Sequence, residues 1–155
     1  MTDAVTAKLA ELGLVLPQAA APVAAYVPTV EAGGLLHVSG QLPIVGGHLM
    51  RGRLGEDVTI EQGQAAARAC ALMLLAQVKA ALGGFERVER VVKLGAFIAS
   101  AGTFTDQPKV ANGASELMVA VFGEAGKHAR SAVGVPVLPL GAAVEVDAIF
   151  ALRSA

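Results

Sequence analysis

Two side chains in the last third of this sequence could do chemistry together. The stretch HARSAVGVPVLPLGAAVEVDAIFAL, His128 to Leu152, is almost entirely small and apolar, yet it carries Arg130 near its start and Glu145 well inside. Desolvating either charge without a partner costs several kcal/mol. Either both sit in water at a rim, or they face something that needs them. A guanidinium fork grips a carboxylate bidentately. A half-desolvated carboxyl has its pKa lifted toward the range useful to a general base. Together they leave room for a small molecule between a cation and a carboxylate.

Other residue types that do chemistry point elsewhere or nowhere. His37, His48 and His128 have no mutual metal spacing and no cysteine beside them, so neither a metal nor another cofactor is expected. Cys70 falls inside an apolar helical pattern and reads as core. The pairs Gly33-Gly34, Gly46-Gly47 and Gly83-Gly84 mark turns and a helix stop, not a phosphate cradle between strand and helix. "VSGQ" around Ser39 is not a nucleophile elbow.

The totals narrow the setting. The 155 residues suit one domain with a real core. With 54% hydrophobic and 16% charged residues, more surface is hidden than one compact monomer would hide, which suggests an oligomer. Net charge is −1 and the nearest basic cluster is Arg51 and Arg53, so nucleic acid is not an expected partner. The lone cysteine fits a reducing compartment. The N-terminus has no continuous apolar run, and "AAARACALMLLAQV" reads as too short to span a bilayer. A cytoplasmic protein with no membrane partner is expected.

The elements that must position Arg130 and Glu145 follow from periodicity. Residues 3–12 read as a short amphipathic helix stopped by Gly13, followed by a Pro- and Ala-rich extended segment ending at Gly33-Gly34. "LLHVSGQLPI" alternates as a strand, and a turn at Val45 to Gly47 leads to a short strand at 48–51. Thr59 and Gln62 form a capping-box signature for a helix reaching Leu82. A third strand alternates Val92, Leu94, Ala96 and Ile98 against Val91, Lys93, Gly95 and Phe97. Asp106 is the expected N-cap of a second long helix, weakened by Gly113, through about Phe122. The remainder reads as a hairpin turning at "LPLG", with Ser131, Val133, Val135 and Val137 facing inward on its first strand.

The expected order is ββαβαββ, an α+β sheet with two helices on one face. The face left bare would hold Ser39, Gly95, Phe97, Ala132, Gly134, Pro136, Glu145 and Ile149. So apolar a sheet face generally packs on another sheet, most simply another copy. A two-residue turn at Pro139 and Leu140 would set Glu145 opposite Gly134 and Arg130 near Ile149.

With Tyr26, "SGQLP" at 39–43, Asn112, "RS" at 130–131 and "VEVDAI" at 144–149 in this order, the chain resembles the RidA/YjgF family of reactive intermediate/imine deaminases, in a longer-chain branch. The resemblance covers residues 22–152, which makes 1–21 an N-terminal helix and extended segment ahead of a domain at 22–155. It implies a chorismate-mutase-like fold and a homotrimer with clefts between subunits. It also implies hydrolysis of 2-imino and enamine acids to 2-keto acids and ammonia. Arg130 is implied to hold the substrate carboxylate, Glu145 to orient or activate water, and Tyr26, Ser39 and Asn112 to line the cleft. The sequence departs from many members at Ala132, where they carry Cys, so no thiol at that position takes part in this protein.

Plainer roles compete. Arg130 could pair with a neighbouring subunit's acid, and Glu145, with Asp147 on its face, could be a solvated residue near a strand end. Tyr26 could simply pack its ring, and Ser39 could serve a turn. Functions compete as well: a non-catalytic trimer binding keto acids or other small carboxylates, and a ribonuclease, a label the family has carried. The absence of a basic stripe and of a His pair disfavours the last.

Overall fold

The computed structural model describes residues 3–22 and 24–154. Its elements are α1 (Ala4–Glu11), β1 (Thr29–Ala32), β2 (Leu35–Gln41), β3 (Ile44–Val45), β4 (His48–Leu49), α2 (Ile60–Leu82), β5 (Val88–Ala99), α3 (Gln107–Phe122), β6 (Ala129–Val135) and β7 (Val144–Leu152). Five strands form one mixed sheet in the order β1-β2-β7-β5-β6, and β3 and β4 form a separate hairpin. Helices α2 and α3 cover one face, giving the expected α+β fold.

Local chemistry explains each helix. Thr59 and Gln62 form the capping box in both directions: the Thr59 hydroxyl accepts from the Gln62 amide, and Gln62 Oε1 accepts from the Thr59 amide at 2.9 Å. Such a cap contributes about 1 kcal/mol. Gly83 ends α2 in the left-handed conformation, φ 77°. At 23 residues α2 is longer than its apolar run suggested, and by length and composition it would reach across a bilayer. Instead, Ala67, Cys70, Leu74 and Val78 are buried in the core shared with the sheet.

Before α3, Asp106 stands at the expected N-cap position but makes no side-chain cap bond, because its backbone is not in the extended conformation that aims the carboxylate at the helix. Helix α3 runs unbroken through Gly113. A Cβ there would overlap the Gln64 carbonyl of α2, so the glycine lets the two helix backbones approach.

The sheet differs from the sequence expectation in three ways. The extended segment contains a strand, β1, which pairs with β2 through a turn at Gly33 (φ 59°) and Gly34 (φ 77°). The short strand at 48–51 does not enter the main sheet; β4 pairs only with β3. Most consequentially, β6 and β7 are not a hairpin. β6 runs parallel to β5, the usual outcome when a helix, here α3, connects two strands. β7 pairs antiparallel with the other edge of β5, so β5 separates them. Residues 136–143 carry the chain across β5, a longer path than a two-residue turn requires.

This topology also reverses the faces of β6. Arg130 is paired with Leu94, Ala132 with Ala96 and Gly134 with Ile98, all on the helix side, and Ser131 and Val133 are exposed. On β7 the alternation is as read. Val144, Val146, Ala148 and Phe150 are buried under the helices, with half-buried Glu145, Asp147 and Ile149 between them. Fully burying a side chain of this kind contributes about 1.5–3 kcal/mol. β5 shifts register between Val91 and Lys93, which puts Val91 rather than Val92 in the core. Helix α1 adds Leu9 to the same core.

Candidate functional site

Glu145 lies on the face that the helices leave bare. β2 shifts register between Val38 and Gln41, and the irregularity sets Gly40 against the Glu145 side chain. A Cβ at Gly40 would lie 2.5 Å from Glu145 Oε2. The missing side chain that makes room for the carboxylate is therefore Gly40's, not Gly134's. Gly134 is on the other face, where a Cβ would meet Ser100 and Gln107. Glu145 is paired with Phe97 across β5, and Gly134 is two strands away.

Beside this carboxylate is a cavity of about 420 Å³ whose walls include Tyr26, Ser39, Gly40, Ile44, Leu140 and Glu145. Burial, with the Asp147 charge as a lesser cause, pushes the Glu145 carboxyl above its ordinary range. Asp147 is raised as well, by burial, against the opposing effects of the Gly95 amide and Lys93. The Ser39 hydroxyl ties two segments together rather than closing a local turn. It lines the cavity, and its hydroxyl donates to the Val27 carbonyl at 3.0 Å, fastening the segment that carries Tyr26. Tyr26 lines the cavity and is 46% exposed.

Arg130 is elsewhere. It reaches from β6 toward α3, donating from Nη1 to Asn112 Oδ1 at 2.9 Å and Ser115 Oγ at 3.1 Å, and from Nη2 to the Pro108 carbonyl at 3.4 Å. All three acceptors are neutral, and among the described residues no carboxylate lies within ion-pair distance of it. Asn112 thus holds the arginine and does not line the Glu145 cavity. The bare face is therefore not where Arg130 and Glu145 meet. Within one chain they point to opposite faces, with β5 between their strands.

Two residues of the arginine's setting, Ser115 and His128, were not legible as such from the sequence. The His128 ring contacts the Gly126 carbonyl through Nδ1 at 2.6 Å and Ser115 Oγ through Nε2 at 2.8 Å. A carbonyl only accepts, so Nδ1 carries the proton; in the neutral ring Nε2 accepts from the Ser115 hydroxyl, whose oxygen accepts from Arg130. The i, i+3 spacing of Asn112 and Ser115 on one helix face was the available signal. Cys70 is core as expected, its thiol 3.6 Å from the Val144 carbonyl and pushed well up by burial. Among the described residues no three His, Cys, Asp or Glu side chains cluster as metal ligands would.

A family model described as "YjgF/chorismate_mutase-like, putative endoribonuclease" matches residues 6–152. A curated relative, Protein TCP17 of Trypanosoma cruzi, is 58% identical over 97% of this chain and 95% of its own length. Among solved structures, Atu1372 of Agrobacterium tumefaciens, described as of unknown function, is 47% identical with a TM-score of 0.89, covering 97% of this chain and 95% of that one. Escherichia coli TdcF, solved with bound serine, is 26% identical with a TM-score of 0.64 over 88% and 94% of the two chains. The chain belongs to the YjgF/RidA family, and its fold is the chorismate-mutase-like fold of that family.

Proposed function

We propose that this protein hydrolyses 2-imino and enamine acids to 2-keto acids and ammonia, in sites shared between the copies of a homotrimer in the cytoplasm. The observation that carries this reading is the state of Arg130: a guanidinium held in place by neutral oxygens, its charge uncompensated by any described carboxylate. Such a group is preset for an anion, and a bidentate carboxylate adds about 1.5–3 kcal/mol. That TdcF is a serine-bound relative supports an amino-acid-like carboxylate as the ligand.

A second copy resolves the opposed faces. β6 is an edge strand with Val133 45% exposed, and edges of this kind are usually covered. If the Arg130 edge of one copy meets the Glu145 cavity of the next, the contact is head-to-tail, and three such contacts close a ring. Each cleft would then hold an Arg130–Asn112 pair from one copy, with Glu145, Ser39 and Tyr26 from its neighbour.

The reaction needs little from the protein. Protonation of the imine nitrogen already makes its carbon electrophilic, so neither a metal nor a covalent nucleophile is required. Arg130 fixes the carboxylate. Glu145, its basicity raised by burial, takes a proton from water as the oxygen bonds to the imine carbon. Glu145 then returns its proton to the amine nitrogen of the tetrahedral adduct. The carbon–nitrogen bond breaks with its electron pair going to nitrogen, and ammonia leaves. The hydroxyl proton passes through the Glu145 carboxylate to water as the carbonyl of the keto acid forms.

The test generates 2-imino acids in situ with an amino-acid oxidase and follows their decay. Pure protein should accelerate it, Arg130→Ala should abolish carboxylate binding, and Glu145→Gln should stop ammonia release while leaving binding largely intact. No acceleration across several side chains would contradict the proposal. Binding without acceleration would instead identify a carboxylate binder.

A further inference from the structure

Resting on the deaminase reading, we infer that the Glu145 cavity is a side-chain subsite selecting substrates with medium-sized apolar side chains and rejecting acidic ones. Its walls are built partly by the N-terminal segment: Ala20, Ala21, Pro22 and Ala24 line it together with Leu42 and Ile44. That segment is seated by a polar residue in the core. Gln77 of α2, 3% exposed, donates from Nε2 to the Ala20 carbonyl at 2.7 Å and contacts Gln41 Oε1 at 3.2 Å. Gln41 in turn donates to the Ser39 carbonyl at 3.0 Å.

These bonds have two consequences. They hold an Ala- and Pro-rich wall in place over a cavity that would otherwise be open on that side. They also engage polar groups in and behind the lining, since the Ser39 hydroxyl proton, both ends of the Gln41 amide and the Gln77 nitrogen already have protein partners. What remains for a ligand is apolar surface, the exposed Tyr26 and the Glu145 carboxylate. No Lys or Arg is among the described lining residues of the chain. A substrate side chain ending in a second carboxylate would meet Glu145 with no second cation to offset the repulsion, since the neighbouring copy's Arg130 is taken by the substrate's own α-carboxylate. One ending in methyl groups would be desolvated against Leu42 and Ile44.

The experiment compares 2-imino acids made in situ from alanine, leucine and glutamate by matching oxidases, using the full chain. The leucine-derived imine should exceed the alanine-derived one in kcat/KM by about tenfold or more, the scale a few methylenes supply in an apolar pocket. The glutamate-derived imine should be the poorest. Ala24 is exposed, so Ala24→Phe fills the cavity without disturbing the core, and it should cut the leucine-to-alanine ratio at least about fivefold. Gln77→Leu, which frees the wall, should flatten the same ratio in protein that remains folded by circular dichroism. Equal rates for all three side chains, or a preference for glutamate, would overturn the subsite while leaving the deaminase standing. Hydrolysis of none would overturn both.

Discussion

A carboxylate laid over a glycine recurs at two positions of the bare sheet face. Glu145 rests against Gly40, and Asp147 rests on Gly95, where a Cβ would overlap its Oδ1. Both carboxyls are half-buried and both are raised, burial being the main cause. A carboxyl with a higher pKa in the folded chain binds its proton more tightly there than when unfolded. Its contribution to stability is therefore full below the ordinary carboxylate range and is lost as pH rises through the folded value. Glu145→Gln should accordingly raise Tm at neutral pH, with the gain fading as pH falls through the raised folded value and gone below about pH 4. Thermal melts across that range check this, and a variant less stable than wild type at neutral pH would contradict it. At this scale the sequence was informative about identity and silent about partners. Arg130 and Glu145 stood out as charges on apolar strands, but Gly40, Ser115 and His128 matter only through contacts made by a register shift and a distant helix.

Between elements, the pivotal contact is that of α2 with α3. Gly63 and Gly113 let these helices close on one another, with Val110 within 3.0 Å of where a Gly63 Cβ would stand. Gly113→Ala forces a side chain against the Gln64 backbone, which cannot swing aside as a side-chain tip would. A loss of about 1–3 kcal/mol is expected in urea unfolding, with the midpoint shifted and the slope unchanged. Because α3 also supplies Asn112, Ser115 and the Pro108 carbonyl to Arg130, the variant should weaken carboxylate binding as well. Helix ends were legible from local chemistry, as with Thr59, Gln62 and Gly83. Strand pairing was not. Alternation gives the two faces of a strand but not its neighbour, so "LPLG" read as a hairpin when the chain in fact steps across β5. The same error inverted the faces of β6, since nothing in Ala129–Val135 distinguishes a strand facing the helices with Arg130 from one facing them with Val133.

For the whole molecule, the composition pointed to hidden surface, and the sheet shows where it would be hidden. Among the described residues, His37, Phe97, Val133 and Ile149 share a face that no helix covers, and β6 leaves a sheet edge unpaired. The sequence placed Arg130 and Glu145 in one seam; the fold separates them within a chain, so any joint action must come from two copies. Subunit complementation addresses this most directly. Arg130→Ala and Glu145→Gln chains, each inactive alone, are co-expressed in equal amounts, and imine hydrolysis is measured on the mixed protein. Random assembly of shared sites should restore about a quarter of wild-type activity, because a site taking its arginine from one variant and its glutamate from the other is intact. Mixed assemblies that remain as inactive as the parents would show that the two residues do not act across a subunit boundary, and the shared-site mechanism would fail.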